Sequence, residues 1–166
     1  KTCGIRGFNL TMPNKNKIVE LLDELSPEAQ LIGAVNTVLN DNGKLIGYNT
    51  DGYGFMQSVR DAGHDITGKN ITVMGVGGAS MAICAQSALD GAASVHIFAR
   101  RTSRYWNRTQ KFAENLSAKT GCQVCLFDND DHTALRDSIA QSYLLINATS
   151  VGMVPDIDDT IIKDTS

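Results

Sequence analysis

The sequence predicts an α/β protein whose larger part is a doubly wound parallel sheet, and three observations carry that expectation. Ile71-Thr72-Val73-Met74 runs into Gly75-Val76-Gly77-Gly78-Ala79, and a helix-compatible stretch from Ser80 to Leu89 follows. This is the strand–turn–helix order of a dinucleotide-binding unit. The glycines admit a pyrophosphate to the backbone, and the helix start offers it unpaired N–H groups and the positive end of a dipole. Beyond Gly68-Lys69, strand-like and helix-like segments alternate, which implies parallel pairing. Hairpin-type order precedes them, so the boundary is expected near residue 63. The expected architecture is a Rossmann-like doubly wound sheet over 63–166, preceded over 1–62 by part of a smaller N-terminal α/β domain.

Taken in order, residues 4–17 read as an extended piece and a turn, with Pro13 suited to the first turn of a helix. A helix is expected from Asn14 to Leu25, with Ile18, Leu21, Leu22 and Leu25 on one face and Thr11 as its cap. Ser26-Pro27 ends it, and Ala29 to Ile32 make a further helical turn. Ala34 to Leu39 and Lys44 to Asn49 form a hairpin across Asn40-Asp41-Asn42-Gly43. A helix over Phe55 to Ala62 starts near the capping candidates Thr50 and Asp51 and stops at Gly63. After it come strand Ile71–Met74, helix Ala79–Leu89, strand Ser94–Ala99, helix Thr109–Thr120, strand Gln123–Phe127, helix Asp131–Ala140 and strand Leu144–Ala148.

Composition is that of an ordinary α/β chain, and a formal charge of −3 gives no reason to expect nucleic acid or an anionic membrane as partner. No apolar run approaches the roughly 20 residues that span a bilayer. The chain opens at Lys1 without Met and stops at Ser166 without a closing element, so it reads as a piece of a longer protein. Cys3, Cys84, Cys122 and Cys125 are scattered. Cys122 and Cys125 fall three apart on an expected strand and point to opposite faces, with no second pair to complete a metal site. Buried thiols in a reducing cytoplasm are the expectation, with no metal. His64, His96 and His132 read as surface or core histidines.

Two sets of residues bear on chemistry. The strand ending at Ala99 leads into Arg100-Arg101-Thr102-Ser103-Arg104, where NAD-binding sheets usually carry a carboxylate for the ribose diol. Three guanidiniums and two hydroxyls suit a 2′-phosphate, which favours NADP; the same residues also fit a solvated basic loop. A dehydrogenase further needs a group to exchange a proton with the substrate hydroxyl, and Lys15 and Asp51 stand at two expected helix starts. Aspartate beside a lysine favours its charged form and fixes the ammonium in place. A surface lysine and a helix N-cap are the plain alternatives. The glycine turn itself departs from the usual fingerprint, with Ser80 at the third small position.

Five segments then occur in a telling order: Asn9-Leu10-Thr11-Met12-Pro13-Asn14-Lys15, Gly33-Ala34-Val35-Asn36-Thr37, Gly47-Tyr48-Asn49-Thr50-Asp51-Gly52, Gly75-Val76-Gly77-Gly78-Ala79 and Asn147-Ala148-Thr149-Ser150-Val151-Gly152-Met153. Together they resemble the shikimate dehydrogenase family, including its quinate/shikimate dehydrogenase branch. The resemblance covers essentially the whole chain, and Gly77-Gly78-Ala79 is the form of the turn this family uses. It implies that 1–62 is the C-terminal part of a substrate-binding domain with its connecting helix, and 63–166 an incomplete NAD(P)-binding domain.

The resemblance also implies roles. Lys15 and Asp51 would be catalytic, and Thr11, Asn36 and Thr50 would lie on the substrate. Gly75, Val76, Gly77, Gly78, Ala79, Arg100, Arg101, Thr149, Val151 and Met153 would hold the cofactor. Ala99 stands where many members have Asn, and no aspartate stands at Thr102, which leans toward NADP over NAD. The family's two carboxylate-binding serines would lie upstream of Lys1 and its glutamine-bearing segment beyond Ser166. The implied activity is reversible reduction of 3-dehydroshikimate to shikimate with NADPH, in chorismate and aromatic amino acid biosynthesis. The small-molecule substrate would be shikimate or quinate, the location cytoplasmic, with a homodimer left open. Quinate oxidation with NAD or NADP is the rival enzyme activity, and a non-catalytic nucleotide-binding regulatory module the rival of another class. Retention of Lys15 and Asp51 with Asn36 argues against the latter.

Overall fold

A computed structural model describes residues 4–162. Within these bounds the chain divides into two compact units, one up to Asp65 and one from Ile66 on. Each is built by a different pairing logic.

The first unit is a mixed four-stranded sheet. Strands β1 (Gly7–Asn9), β2 (Glu24–Leu25), β3 (Thr37–Asp41) and β4 (Lys44–Tyr48) stand in the order β1-β3-β4-β2. β3 and β4 form the expected hairpin, closed by Asn42 at φ 50° and Gly43 at φ 97°, the pair of left-handed residues that a twisted two-residue turn requires. The Asn40 Oδ1 accepts from Gly43 N–H at 2.8 Å and pins the turn. Helix α1 (Pro27–Ile32) is capped by Ser26, carries Pro27 at its first position and ends at Gly33 in the left-handed region, φ 66°. Helix α2 (Asp51–Asp61) buries Met56 and Val59.

The expected helix over Asn14–Leu25 is not formed. Only a 3-10 turn, Lys17–Leu21, occupies that stretch, and the backbone is extended by Leu22. Tertiary pairing outweighs local helix preference here. Glu24 and Leu25 pair in parallel with Ile46 and Gly47, and the N–H groups of Asp23 and Ser26 donate to the carbonyls of Leu45 and Gly47, both at 2.9 Å. Ile18, Val19, Leu22 and Leu25 still reach the core formed by Ala29, Val35 and Val38, while Leu21 is exposed. Gly47 makes room for them: a Cβ there would stand 2.5 Å from Leu22 Cδ1 and 2.7 Å from Val35 Cγ2. Thr11 caps no helix; its carbonyl accepts from Asn14 N–H in the turn before the 3-10 segment.

The second unit is the parallel sheet. Strands β5 (Asn70–Met74), β6 (Ser94–Ala99), β7 (Gln123–Asp128) and β8 (Leu144–Asn147) run in the order β7-β6-β5-β8. All the pairings are parallel. Helices α3 (Gly78–Leu89), α4 (Trp106–Thr120) and α5 (His132–Gln141) make the crossovers. The chain steps outward from β5 to β7 and then returns to the other side of β5. Strand order therefore reverses at β5, and ligands of such sheets bind outside the carboxyl ends of the strands at that point. Residues Ile71 to Met74 are all buried, as is most of α3, which is apolar nearly all round.

Thr72 and His96, side by side in the sheet, point to α5. Ser138 Oγ lies 2.7 Å from both Thr72 Oγ1 and His96 Nδ1, and burial holds the His96 imidazolium below its ordinary pKa. Cys84 and Cys122 are buried free thiols, pushed up to about 12 and about 11 by desolvation; Cys125 is free and half-buried, and Cys3 lies outside the described residues. His64 and His132 are exposed. Among the described residues no helix is long and apolar enough to cross a membrane, and no group of three metal-ligating side chains occurs.

Candidate active site

In the first unit, the polar side chains converge where β3, β4 and α2 begin or end. Asn49 and Thr50 follow β4 directly, and Asp51 opens α2. Asp51 is the first residue inside the helix and not its cap: neither its carboxylate nor the Thr50 hydroxyl bonds a helix N–H. The carboxylate turns outward. Its Oδ2 accepts from Lys15 Nζ at 2.6 Å and its Oδ1 from Asn36 Nδ2 at 2.8 Å. Lys15 is fixed at its own backbone, whose carbonyl accepts from Val35 N–H at 2.8 Å. Both charged side chains keep access to solvent, 23% for Lys15 and 38% for Asp51.

Asn36 organises this cluster and is itself 7% exposed. Its Nδ2 donates to Thr50 Oγ1 at 3.0 Å as well as to Asp51. Its Oδ1 accepts from Thr37 Oγ1 at 2.9 Å and from Thr50 N–H at 3.0 Å. Both amide hydrogens and the oxygen are thus engaged inside the protein. Asn49, 3% exposed, closes the turn by accepting from Asp51 N–H at 3.2 Å and donating to the Ala34 carbonyl at 3.1 Å. Lys15, Asn36, Thr50 and Asp51 are brought together. Thr11 is exposed and makes no side-chain hydrogen bond among the described residues. Asn49 and Thr37, which complete the network, were not anticipated as site residues, although both stood inside recognised segments.

In the second unit, a cavity of about 640 Å³ opens at the carboxyl ends of the strands. Gly75, Val76 and Gly77 line it after β5, Arg100 after β6, and Thr149 and Ser150 after β8. Gly75 has φ 111°, and a Cβ on it would stand 2.9 Å from both the Ala148 carbonyl oxygen and Thr149 Cγ2, so only glycine lets these two loops meet. Ser80, the residue that departs from the usual fingerprint, is fully buried and donates to the Gly75 carbonyl at 2.6 Å, tying the first turn of α3 back to the loop. A Cβ on Gly77 would meet nothing within 4 Å, and Gly77 precedes α3 with no side chain capping the helix. The first helical bond is Met81 N–H to the Gly77 carbonyl, so the N–H groups before it face outward.

The basic loop is sorted by its aromatic neighbours. Arg100 lines the cavity with Thr102, Ser103 and Arg104. Arg104 stacks on Tyr105 with its guanidinium carbon 4.7 Å from the ring centroid and donates to the Tyr105 hydroxyl at 2.7 Å. Arg101 lies outside the cavity: its guanidinium carbon is 4.7 Å from the Trp106 ring centroid and its backbone N–H donates to Asp128 Oδ1 at 3.3 Å. Gly78, Ala79, Val151 and Met153 also lie off the lining, and Met153 is 63% exposed. Asn147 keeps its loop in shape by accepting from the Thr149 hydroxyl at 2.7 Å and donating to the Val151 carbonyl at 3.0 Å. Sequence reasoning counted Arg104 among the three guanidiniums suited to a 2′-phosphate, although the family resemblance did not imply it, and did not single out Asn129, which lies past β7 in no recognisable pattern.

The residues fit a phosphorylated dinucleotide. Gly77 leaves its cradle open, two arginines line the same cavity, and the Asn129 Oδ1 is a buried acceptor without a partner.

Comparisons with known proteins bear on both units. A family profile described as the shikimate dehydrogenase substrate binding domain matches residues 1–38. A shikimate dehydrogenase (NADP(+)) of Listeria innocua is 49% identical over 162 residues, 98% of this chain and 55% of that protein. The crystal structure of shikimate 5-dehydrogenase from Listeria monocytogenes, in complex with shikimate and NAD, superposes with a TM-score of 0.95 at 47% identity, covering 98% of this chain and 56% of the other. Quinate dehydrogenase from Corynebacterium glutamicum, in complex with NAD, gives a TM-score of 0.81 at 29% identity, covering 97% and 55%. The chain spans about half the length of the curated relatives it matches.

Proposed function

We propose that the chain is a member of the shikimate dehydrogenase family and that the protein carrying it reversibly reduces 3-dehydroshikimate to shikimate with NADPH, a step toward chorismate and aromatic amino acids. The observation that carries this reading is the Lys15–Asp51 pair at 2.6 Å, with Asp51 held on its other oxygen by Asn36. In this reading residues 1–62 belong to the substrate-binding domain and 63–166 to the NAD(P)-binding domain.

Each residue has a definite part. Lys15 spends one of its three N–H donors on Asp51, which leaves the others for the reacting oxygen of the substrate. In the reducing direction the Lys15 ammonium gives a proton to the substrate carbonyl oxygen, and in the oxidising direction the lysine takes it back from the hydroxyl. Asp51 fixes where the ammonium stands and is a second acceptor for that hydroxyl. Asn36 and Thr50 prevent the carboxylate from turning away. A nicotinamide dinucleotide, when bound, supplies the hydride exchange. Gly77 and the start of α3 receive its pyrophosphate, and Arg100 and Arg104 take the 2′-phosphate of NADP. Thr149, packed against Gly75, and Ser150 line the cavity beside it.

A second reading, quinate oxidation with NAD, is favoured by the likeness to the Corynebacterium glutamicum enzyme. The substrate in both readings is a small carboxylated, hydroxylated ring. Free thiols at Cys84 and Cys122 support a reducing, cytoplasmic setting, and a homodimer is left open. The test is a four-way assay of the full-length protein, with shikimate and quinate each against NADP⁺ and NAD⁺. Turnover is expected to be fastest with shikimate and NADP⁺. Fastest turnover with quinate and NAD⁺ would establish the second reading, and cofactor binding without turnover on either acid would overturn both in favour of a regulatory module.

A further inference from the structure

Lys15 and Asp51 stand 36 residues apart in sequence, and the 2.6 Å contact between them is made by the tip of a long, rotatable lysine side chain. Their backbones are joined by a second route, which runs through one peptide group. The Val35 N–H donates to the Lys15 carbonyl at 2.8 Å. On the other edge of that same peptide, the Ala34 carbonyl accepts from Asn49 Nδ2 at 3.1 Å. Asn49 Oδ1 in turn accepts from the Asp51 N–H at 3.2 Å. With the side-chain contact this closes a ring of four hydrogen bonds that holds Lys15 and Asp51 by backbone and side chain alike. The Ala34–Val35 peptide is planar, so its N–H and C=O keep a fixed mutual orientation and the tie is stiff.

The chemistry of Asn49 suits the place. The Asp51 N–H belongs to the helix-start donors that have no partner inside α2, and no side chain caps the helix at Thr50. An asparagine two residues earlier accepts that N–H in an Asx turn. Aspartate would close the same turn but has no donor for the Ala34 carbonyl. The amide carries acceptor and donor in one rigid plane. Asn49 is 3% exposed, and its oxygen and nitrogen are both bonded within the protein. It acts on the reacting groups through their backbones and not by touching a substrate.

We propose that Asn49 is a positioning residue for the proton transfer: through the Ala34–Val35 peptide it sets where the Lys15 backbone stands relative to Asp51, and so where the ammonium meets the substrate oxygen. The inference rests on the reading of Lys15 as the proton carrier. A misplacement of about 1 Å at a reacting group costs on the order of a hundredfold in rate. Loss of Asn49 leaves the Val35 and side-chain ties in place, so the displacement is smaller and the cost is about tenfold.

The experiment measures kcat and KM for shikimate with NADP⁺ in the full-length protein, for Asn49→Ala, Lys15→Ala and the double variant, with melting temperature and NADPH affinity followed as checks on folding. Asn49→Ala should lower kcat about tenfold and leave KM within about twofold, since Asn49 offers the substrate no atom. In the Lys15→Ala background the same substitution should cost less than about twofold, because the group it positions is gone. Asn49→Ser keeps an acceptor for the Asp51 N–H while its hydroxyl stops one bond short of Ala34. It should lower kcat to a similar degree and covers the case in which the alanine variant does not fold. A residue with a structural role alone would lower the melting temperature and leave kcat of the folded protein unchanged, or would cost the same factor in both backgrounds. Either result would overturn the inference, as would a raised KM with kcat unchanged. Undiminished kcat in Lys15→Ala itself would overturn the proton-carrier reading and this inference with it.

Discussion

In residues 1–65 the polar groups of the candidate site are bonded to one another, whereas in residues 66–166 they are left open. Lys15, Asp51, Asn36 and Thr50 complete each other's hydrogen bonds, at 2.6 to 3.0 Å. Around the cavity of the second unit, Gly77 has no side chain to fill its cradle, the start of α3 is uncapped and Asn129 Oδ1 has no partner. The difference matches what the two proposed roles would require. A group that must move a proton has to stand at a fixed place before the substrate arrives, and a closed network supplies that placement. A region that holds a large anionic ligand keeps its donors free, since each donor spent internally is lost to the ligand.

Short of removing Lys15 itself, the comparison is broken most severely by removing the keystone of the closed network. Asn36→Ala frees one oxygen of Asp51 and leaves Thr50 without its partner. A hydrogen bond to a charged group contributes ~1.5–3 kcal/mol, so turnover should fall by roughly 10- to 100-fold. Nucleotide affinity measured in the same preparation should stay within about twofold, because Asn36 contributes no atom to the cavity. A matching loss of nucleotide affinity would show that the two devices are not separate.

A smaller effect sharpens the open region. Arg100→Ala should weaken NADPH about tenfold in direct titration, by loss of a charge-assisted contact to the 2′-phosphate, and leave NADH unchanged. Arg101→Ala should leave both affinities within about twofold and lower the melting temperature slightly, since stacking of Arg101 on Trp106 is worth ~0.5–1 kcal/mol. The reverse pattern would move the phosphate from Arg100 to Arg101.

Much of this was legible in the sequence where the cause is local. The glycine turn, the strands around it and the Asn42-Gly43 hairpin follow from which residues tolerate which backbone angles, and those rules act within a few positions. What depends on distant partners was not legible. Ile18, Leu22 and Leu25 have helical spacing, yet pairing of Glu24 and Leu25 with β4 pulls that stretch into a strand. Arg100 and Arg101 are chemically equivalent neighbours, and only the presence of Trp106 beside the second separates them. Asn36 was expected on the substrate from its resemblance to a family position. That both its amide hydrogens are committed to Thr50 and Asp51 depends on how β3, β4 and α2 meet, which no short-range pattern encodes. Asn129 is a single asparagine after a strand, and only the fold shows that its Oδ1 is buried without a partner.

The central claim is that Lys15 carries the proton while other residues hold the nucleotide. Its most direct test is Lys15→Ala in the full-length protein, with turnover on shikimate and the NADPH dissociation constant measured side by side. Loss of a positioned general acid–base group predicts a fall in turnover of about a thousandfold. The dissociation constant should stay within about twofold. Undiminished turnover in that variant would contradict the account.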